Sequence, residues 1–121
     1  MNAKWSRGDQ DQMNCKTTTA MVGPAGTVFT ASGRVFITLE DVTTEMVTAG
    51  TLAGVATAGI WAFPKGTVAF AQFANVYLTS AGALGAIGTL LGIAENAVTT
   101  TDETVMVQFS SFASDPVVKT T

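Results

Sequence analysis

The chain has 121 residues, a length that suits one domain with a modest core. Charged residues make up 12% of it and the net charge is −3, about half the charged share of an ordinary soluble domain, and the six Lys and Arg are too scattered to form a basic stripe for nucleic acid. There is no histidine and one cysteine, which excludes an intramolecular disulfide, a Ser-His-Asp triad and most zinc sites.

Ala, Thr, Val and Gly supply about half of the residues. Val and Thr favour strands, and Gly marks turns and bulges. Taken in order, residues 1–25 read as an extended arm. They open on a polar, mixed-charge run unlike a signal peptide, hold Trp5, Met13 and three of the six positive charges, and close on Gly23-Pro24. Fully extended, such an arm reaches about 80 Å. Cys15 has only Lys16 beside it to lower its pKa, so it reads as a small apolar residue or an inert thiol.

Residues 26–109 read as a β domain. Val35, Ile37 and Leu39 alternate on one face, as do Val76 and Leu78 opposite Tyr77, and Val105, Val107 and Phe109 opposite Thr104, Met106 and Gln108. Val28–Ala31, Thr51–Ala56, Ile60–Phe63, Thr67–Phe70 and Thr89–Ala94 are further strand candidates. Turn signals separate them at Ser32-Gly33, Glu40-Asp41, Ala49-Gly50, Pro64-Lys65-Gly66, Ser80-Ala81-Gly82 and from Thr99 to Asp102. A short helix or a Gly-rich loop pair is the alternative around Ala81–Ile87. Segments at Gly26, Val35 and Thr51 are echoed at Gly66, Val76 and Thr89, hinting at two related β units. Residues 110–121 read as a polar tail with Phe112 its one large apolar residue. The whole reads as all-β: a small β-sandwich or barrel with an extended N-terminal arm.

Two uncharged tracts, 46–64 and 66–94, are long enough to invite a membrane reading of the small-holin kind. Threonines interrupt the first; Gln72, Asn75, Thr79, Ser80 and Thr89 interrupt the second, and Gly82, Gly85, Gly88 and Gly92 punctuate it. No positive cluster flanks either. Buried strands joined by small-residue turns are the better reading.

Between the tracts lies Ala58-Gly-Ile-Trp-Ala-Phe-Pro-Lys65. Alternation places Ile60 and Ala62 on one face and Trp61 and Phe63 on the other, and Pro64 ends the strand. Trp61 and Phe63 either fill the core or face a neighbouring subunit. The close acidic pairs Asp9/Asp11, Glu40/Asp41 and Asp102/Glu103 fall in a polar arm or at turns, short of the six or so oxygens a calcium ion wants. No phosphate-loop pattern and no base beside a nucleophile is visible. Neither enzymatic activity, a metal, a cofactor nor a small-molecule substrate is expected.

The segment around Gly59 to Lys65 resembles the G-V-F-x-L-P-K segment of a family of short tailed-phage capsid decoration (cement) proteins. Asn75-Val-Tyr77 resembles that family's G-x-x-V-Y-W, Leu91-Gly-Ile-Ala94 its I-G-V-A, and Val105-Met-Val107 its closing V-x-V strand. Order and spacing agree over roughly Gly50 to Phe109, about half the chain. The chain departs from the pattern at Leu78, where the family has Trp, and at Phe73, where it has Gly. The resemblance implies a structural virion protein on the capsid exterior. Its partners would be the major capsid protein and itself, with a trimer as the favoured homo-oligomer, and neither nucleic acid nor membrane. The residues expected at a subunit or capsid contact are Trp5, Met13, Trp61, Phe63, Pro64, Phe70, Phe73, Tyr77 and Phe112. A holin-like membrane protein and another virion β module, such as a tail or fibre component, are the competing readings.

Overall fold

The alternating segments form antiparallel strands in a computed structural model that describes residues 1–8 and 10–112. The strands are β1 (Lys4–Arg7), β2 (Gln12–Lys16), β3 (Val28–Ala31), β4 (Arg34–Thr38), β5 (Leu52–Ala56), β6 (Ala58–Pro64), β7 (Asn75–Leu78), β8 (Leu84–Gly85), β9 (Thr89–Ala94) and β10 (Thr104–Ser110). A 3₁₀ turn spans Thr19–Met21 and one helix, α1, spans Thr44–Ala49. A six-stranded sheet runs β1-β6-β10-β9-β7-β8 and a four-stranded sheet runs β2-β5-β4-β3. The chain is therefore almost all β, arranged as a small sandwich.

Its main core lies between the sheets. Val35, Ile37 and Ala56 from the four-stranded sheet meet Trp61, Phe63, Val76, Leu91, Val105, Val107 and Phe109 from the six-stranded one. These are the residues that period-two alternation points inward. The opposite face of the four-stranded sheet is also apolar. There Met21, Phe29, Val42, Ala53 and Val55 are buried, with Phe36, Met46 and Val47 packed against them. The chain changes sheets at buried Thr57, whose N–H donates to Asp11 O (2.8 Å) and whose carbonyl accepts from Ser111 N (2.9 Å).

The expected strands at Val28–Ala31 and Thr89–Ala94 form with those bounds, and five others form within a residue or two of theirs. Ser32 and Gly33 make a tight β3–β4 hairpin, both with positive φ (52° and 74°). Thr67–Phe70 differs. It is loop, with only Phe70 bridging Val98. Ala81–Ile87 is a hairpin through β8 instead of a helix, closed by Thr79 N to Ala83 O at 2.8 Å. Helix α1 was not expected. Its signals are Thr43, whose hydroxyl accepts from Met46 N (3.3 Å), Glu45 in the first turn, and left-handed Gly50 at the end. The echoed segments pair as β4 with β5 and as β7 with β9, but in different registers: Ile37 faces Ala56, whereas Leu78 faces Thr89.

The arm is the main correction. Residues 1–25 are built into both sheets: β1 pairs with β6 and β2 with β5, each at a sheet edge. Ala3 and Met21 are buried, and Ala3 N donates to Gly26 O at 2.8 Å. Both strands are mostly exposed and polar, as edge strands tend to be. Deleting residues 1–25 would therefore strip two strands and part of the core instead of freeing an appendage. Of the expected tail, Ser110 belongs to β10 and Ser111 is buried, its hydroxyl donating to Val35 O (2.5 Å). Residues 113–121 lie outside the described residues.

Candidate functional surface

The nine residues expected at a contact separate by burial. Trp61 (3% exposed), Phe63 and Phe70 are core residues and present nothing to a partner. Trp61 and Phe63 follow the alternation of β6 into the space between the sheets, where Phe63 meets Phe109 edge-to-face (6.3 Å) and Trp61 Nε1 donates to Ala58 O (3.2 Å). Burial there removes far more apolar surface from water than a surface position would. Tyr77 is half-buried on β7. Pro64 is exposed at the end of β6, opposite Thr104.

Trp5, Met13, Phe73 and Phe112 are exposed. They do not form one patch by strand position. Trp5 stands on edge strand β1 opposite Trp61, and Met13 on edge strand β2 opposite Val55. Phe112 follows β10 and lies under the Arg34 guanidinium, 5.1 Å from ring centroid to Cζ. Arg34 also donates to Ser111 O at 3.2 Å, so this end of β10 is tied to the β3–β4 hairpin.

Phe73 is 68% exposed and its φ is 66°, a left-handed conformation uncommon for a bulky side chain. Its N–H donates to Ala94 O (2.8 Å), and Ala94 N donates to Ala74 O (2.9 Å), so β9 holds the loop in place. Ile87 and Leu52 are also largely exposed, at 77% and 61%. Neither is among the residues expected at a contact.

Beside Met13 the outer face of the four-stranded sheet carries an apolar groove of about 210 Å³. Met13, Cys15, Met21, Phe29, Phe36 and Val55 line it. Phe29 and Phe36 stack at 5.6 Å on its floor. Burial pushes the Cys15 thiol up from its ordinary value, so the thiol form, an apolar wall, is favoured over the thiolate.

Lys65 is the residue whose role the sequence hid. It was expected at an open turn, yet it is 3% exposed. Its ammonium donates to the carbonyls of Val68 (2.8 Å), Thr99 (2.5 Å) and Gly66 (3.3 Å). With the Gly66 and Val68 carbonyls turned to the ammonium, residues 66–69 form turn and loop around it. Lys65→Met keeps the apolar stem but leaves those carbonyls without their donor. We expect a loss of about 2–3 kcal/mol in unfolding free energy by urea titration. A change within error would show that the ammonium does not hold the two loops.

The acidic turns serve the backbone. Glu40 accepts from Gly54 N (3.1 Å), Asp41 from Ala25 N (2.8 Å) and Asp102 from Thr99 N (2.7 Å). Asp9 lies outside the described residues. Among those described, no three acidic or cysteine side chains cluster in a way that would hold a metal ion. Arg7 and Glu95 form an ion pair that links β1 to the end of β9 across the two strands between them. No helix among the described residues is long and apolar enough to cross a membrane; the first uncharged tract is mostly strands β5 and β6, and the second divides strands β7, β8 and β9 with turns and loop. Comparison with family models, with curated proteins and with solved structures found no match.

Proposed function

We propose that this chain is a non-enzymatic structural virion protein that binds the outer surface of an assembled phage capsid and stabilises it, acting as a homo-oligomer with a trimer as the favoured state. One observation carries the reading. The four segments that resemble the decoration-protein pattern, far apart in sequence, lie on β6, β10, β9 and β7, which are consecutive neighbours in one sheet. Short motifs that converge on one sheet behave as parts of a single pattern. The exposed Trp5, Phe73 and Phe112 add aromatic anchors of the type enriched in interface cores. The all-β sandwich also favours this reading over a helical holin.

The test is co-sedimentation of the purified chain with assembled capsids and with unassembled capsid protein. Binding to assembled shells alone, with a raised shell-disruption temperature, is the expected result. A soluble β-rich chain that ignores capsids would instead be a tail or fibre component.

A further inference from the structure

The left-handed, exposed Phe73 is one of the aromatic anchors named above, and the apolar groove on the other sheet has been given no occupant. We propose that they are partners, the Phe73 ring of one copy entering the groove of a second copy, so that chains associate head to tail and close into a ring. This rests on the self-association part of the reading above and not on capsid binding.

The strain at Phe73 points to use. A bulky residue in the left-handed region is costly and persists where the surroundings impose it, and such residues cluster at functional sites. The loop is fixed by hydrogen bonds from Phe73 N to Ala94 O and from Ala74 N to Ala71 O (3.1 Å). The backbone that carries the ring is thus fixed before any partner arrives, which lowers the ordering cost of binding. At 68% exposure it does not occupy the groove of its own chain.

The groove suits a phenyl ring. Apolar cavities of about 150 Å³ take up benzene, and this one is about 210 Å³. The Met13 and Met21 thioethers adapt to an aromatic guest. The charges also match. The loop from Ala71 to Asn75 carries none, and the one charged residue lining the groove is Lys16, a cation able to sit against the electron-rich ring face. One aromatic buries only about 150–250 Å², against the roughly 1,000 Å² a specific interface needs. A closed ring gives every chain two such contacts and leaves no unfilled end; the remaining area has to come from the surface around Phe73 and around the groove.

The experiment contains no capsid, so its failure is separable from failure of the capsid reading. The wild-type chain, Phe73→Asn, Phe73→Gly, Ala31→Arg and Met13→Arg are compared by sedimentation velocity and circular dichroism. Asn and Gly accept the left-handed backbone but remove the ring. Ala31 and Met13 are exposed residues of the groove wall, where Arg plugs it. Wild type should sediment as a multiple of 12.4 kDa. Each variant should keep its β spectrum and self-associate at least roughly 30-fold more weakly. Mixing Phe73→Asn, which retains a groove, with a groove-plugged variant, which retains a ring, should restore a two-chain species. A monomeric wild type at its highest soluble concentration, wild-type association by Phe73→Asn, or no pairing in the mixture of folded variants would each overturn the proposal.

Discussion

Phe63→Ala is expected to cost about 3–5 kcal/mol of unfolding free energy. Phe63 is fully buried at the centre of β6, opposite Val105 on β10, with its ring edge-on to Phe109. Truncation removes the transfer energy of the ring and leaves a cavity whose walls come from two sheets, so collapse cannot fill it cheaply. The aromatic pair itself adds roughly 0.5–1.5 kcal/mol beyond its buried area. A domain of this size has about 5–15 kcal/mol in total, so the variant should sit near the limit of folding. Guanidinium titration measures this directly. A loss under about 1 kcal/mol, the range of ordinary surface substitutions, would contradict the placement of Phe63 in the core.

Gly92→Ala is the second large effect, and it acts through the backbone. A Cβ at Gly92 would lie 2.0 Å from the carbonyl oxygen of Gln108. Gly92 is paired with Phe109 in the β9–β10 ladder, and it is also a partner of Val76 on β7. Neither strand can retreat without losing hydrogen bonds to its other neighbour. We expect a loss of about 3 kcal/mol or more, above the usual range for overpacking because the obstacle is main chain. Gly66→Ala is the control. A Cβ there meets nothing within 4 Å, and only its positive φ (64°) opposes the change, a cost of roughly 1–2 kcal/mol. Equal losses in the two variants, by thermal or denaturant unfolding, would show that close strand approach is not what requires Gly92.

The same contrast explains which parts of the molecule were legible in advance. Strands β6, β7 and β10 each bury one face more deeply than the other, so their residues alternate and the pattern can be read without knowing the partner. Strands β1 and β2 lie at sheet edges and are mostly exposed, so no apolar period marks them. Residues 1–25 consequently looked like an arm. The position of Phe73 shows a third case. The glycine that the family resemblance places there is the residue its left-handed backbone accepts most easily, but the backbone angle becomes visible only in the fold.

Lys65 and the aromatics belong wholly to the tertiary structure. In sequence, Lys65 is a charge after a proline, and a charge reads as surface. Burial became acceptable because three carbonyls from two loops, one of them 34 residues away, converge on its ammonium. Trp61 and Trp5 are similar side chains directly opposite each other in the β1–β6 ladder, yet one is buried and the other half exposed. Composition and alternation alone determined that this chain makes β-sheet around an apolar core, because side-chain period is a local property. Strand order, the use of the first 25 residues, and which aromatics meet solvent were decided by pairings between distant segments, since hydrogen-bonded partners and packing neighbours are not encoded by any one stretch.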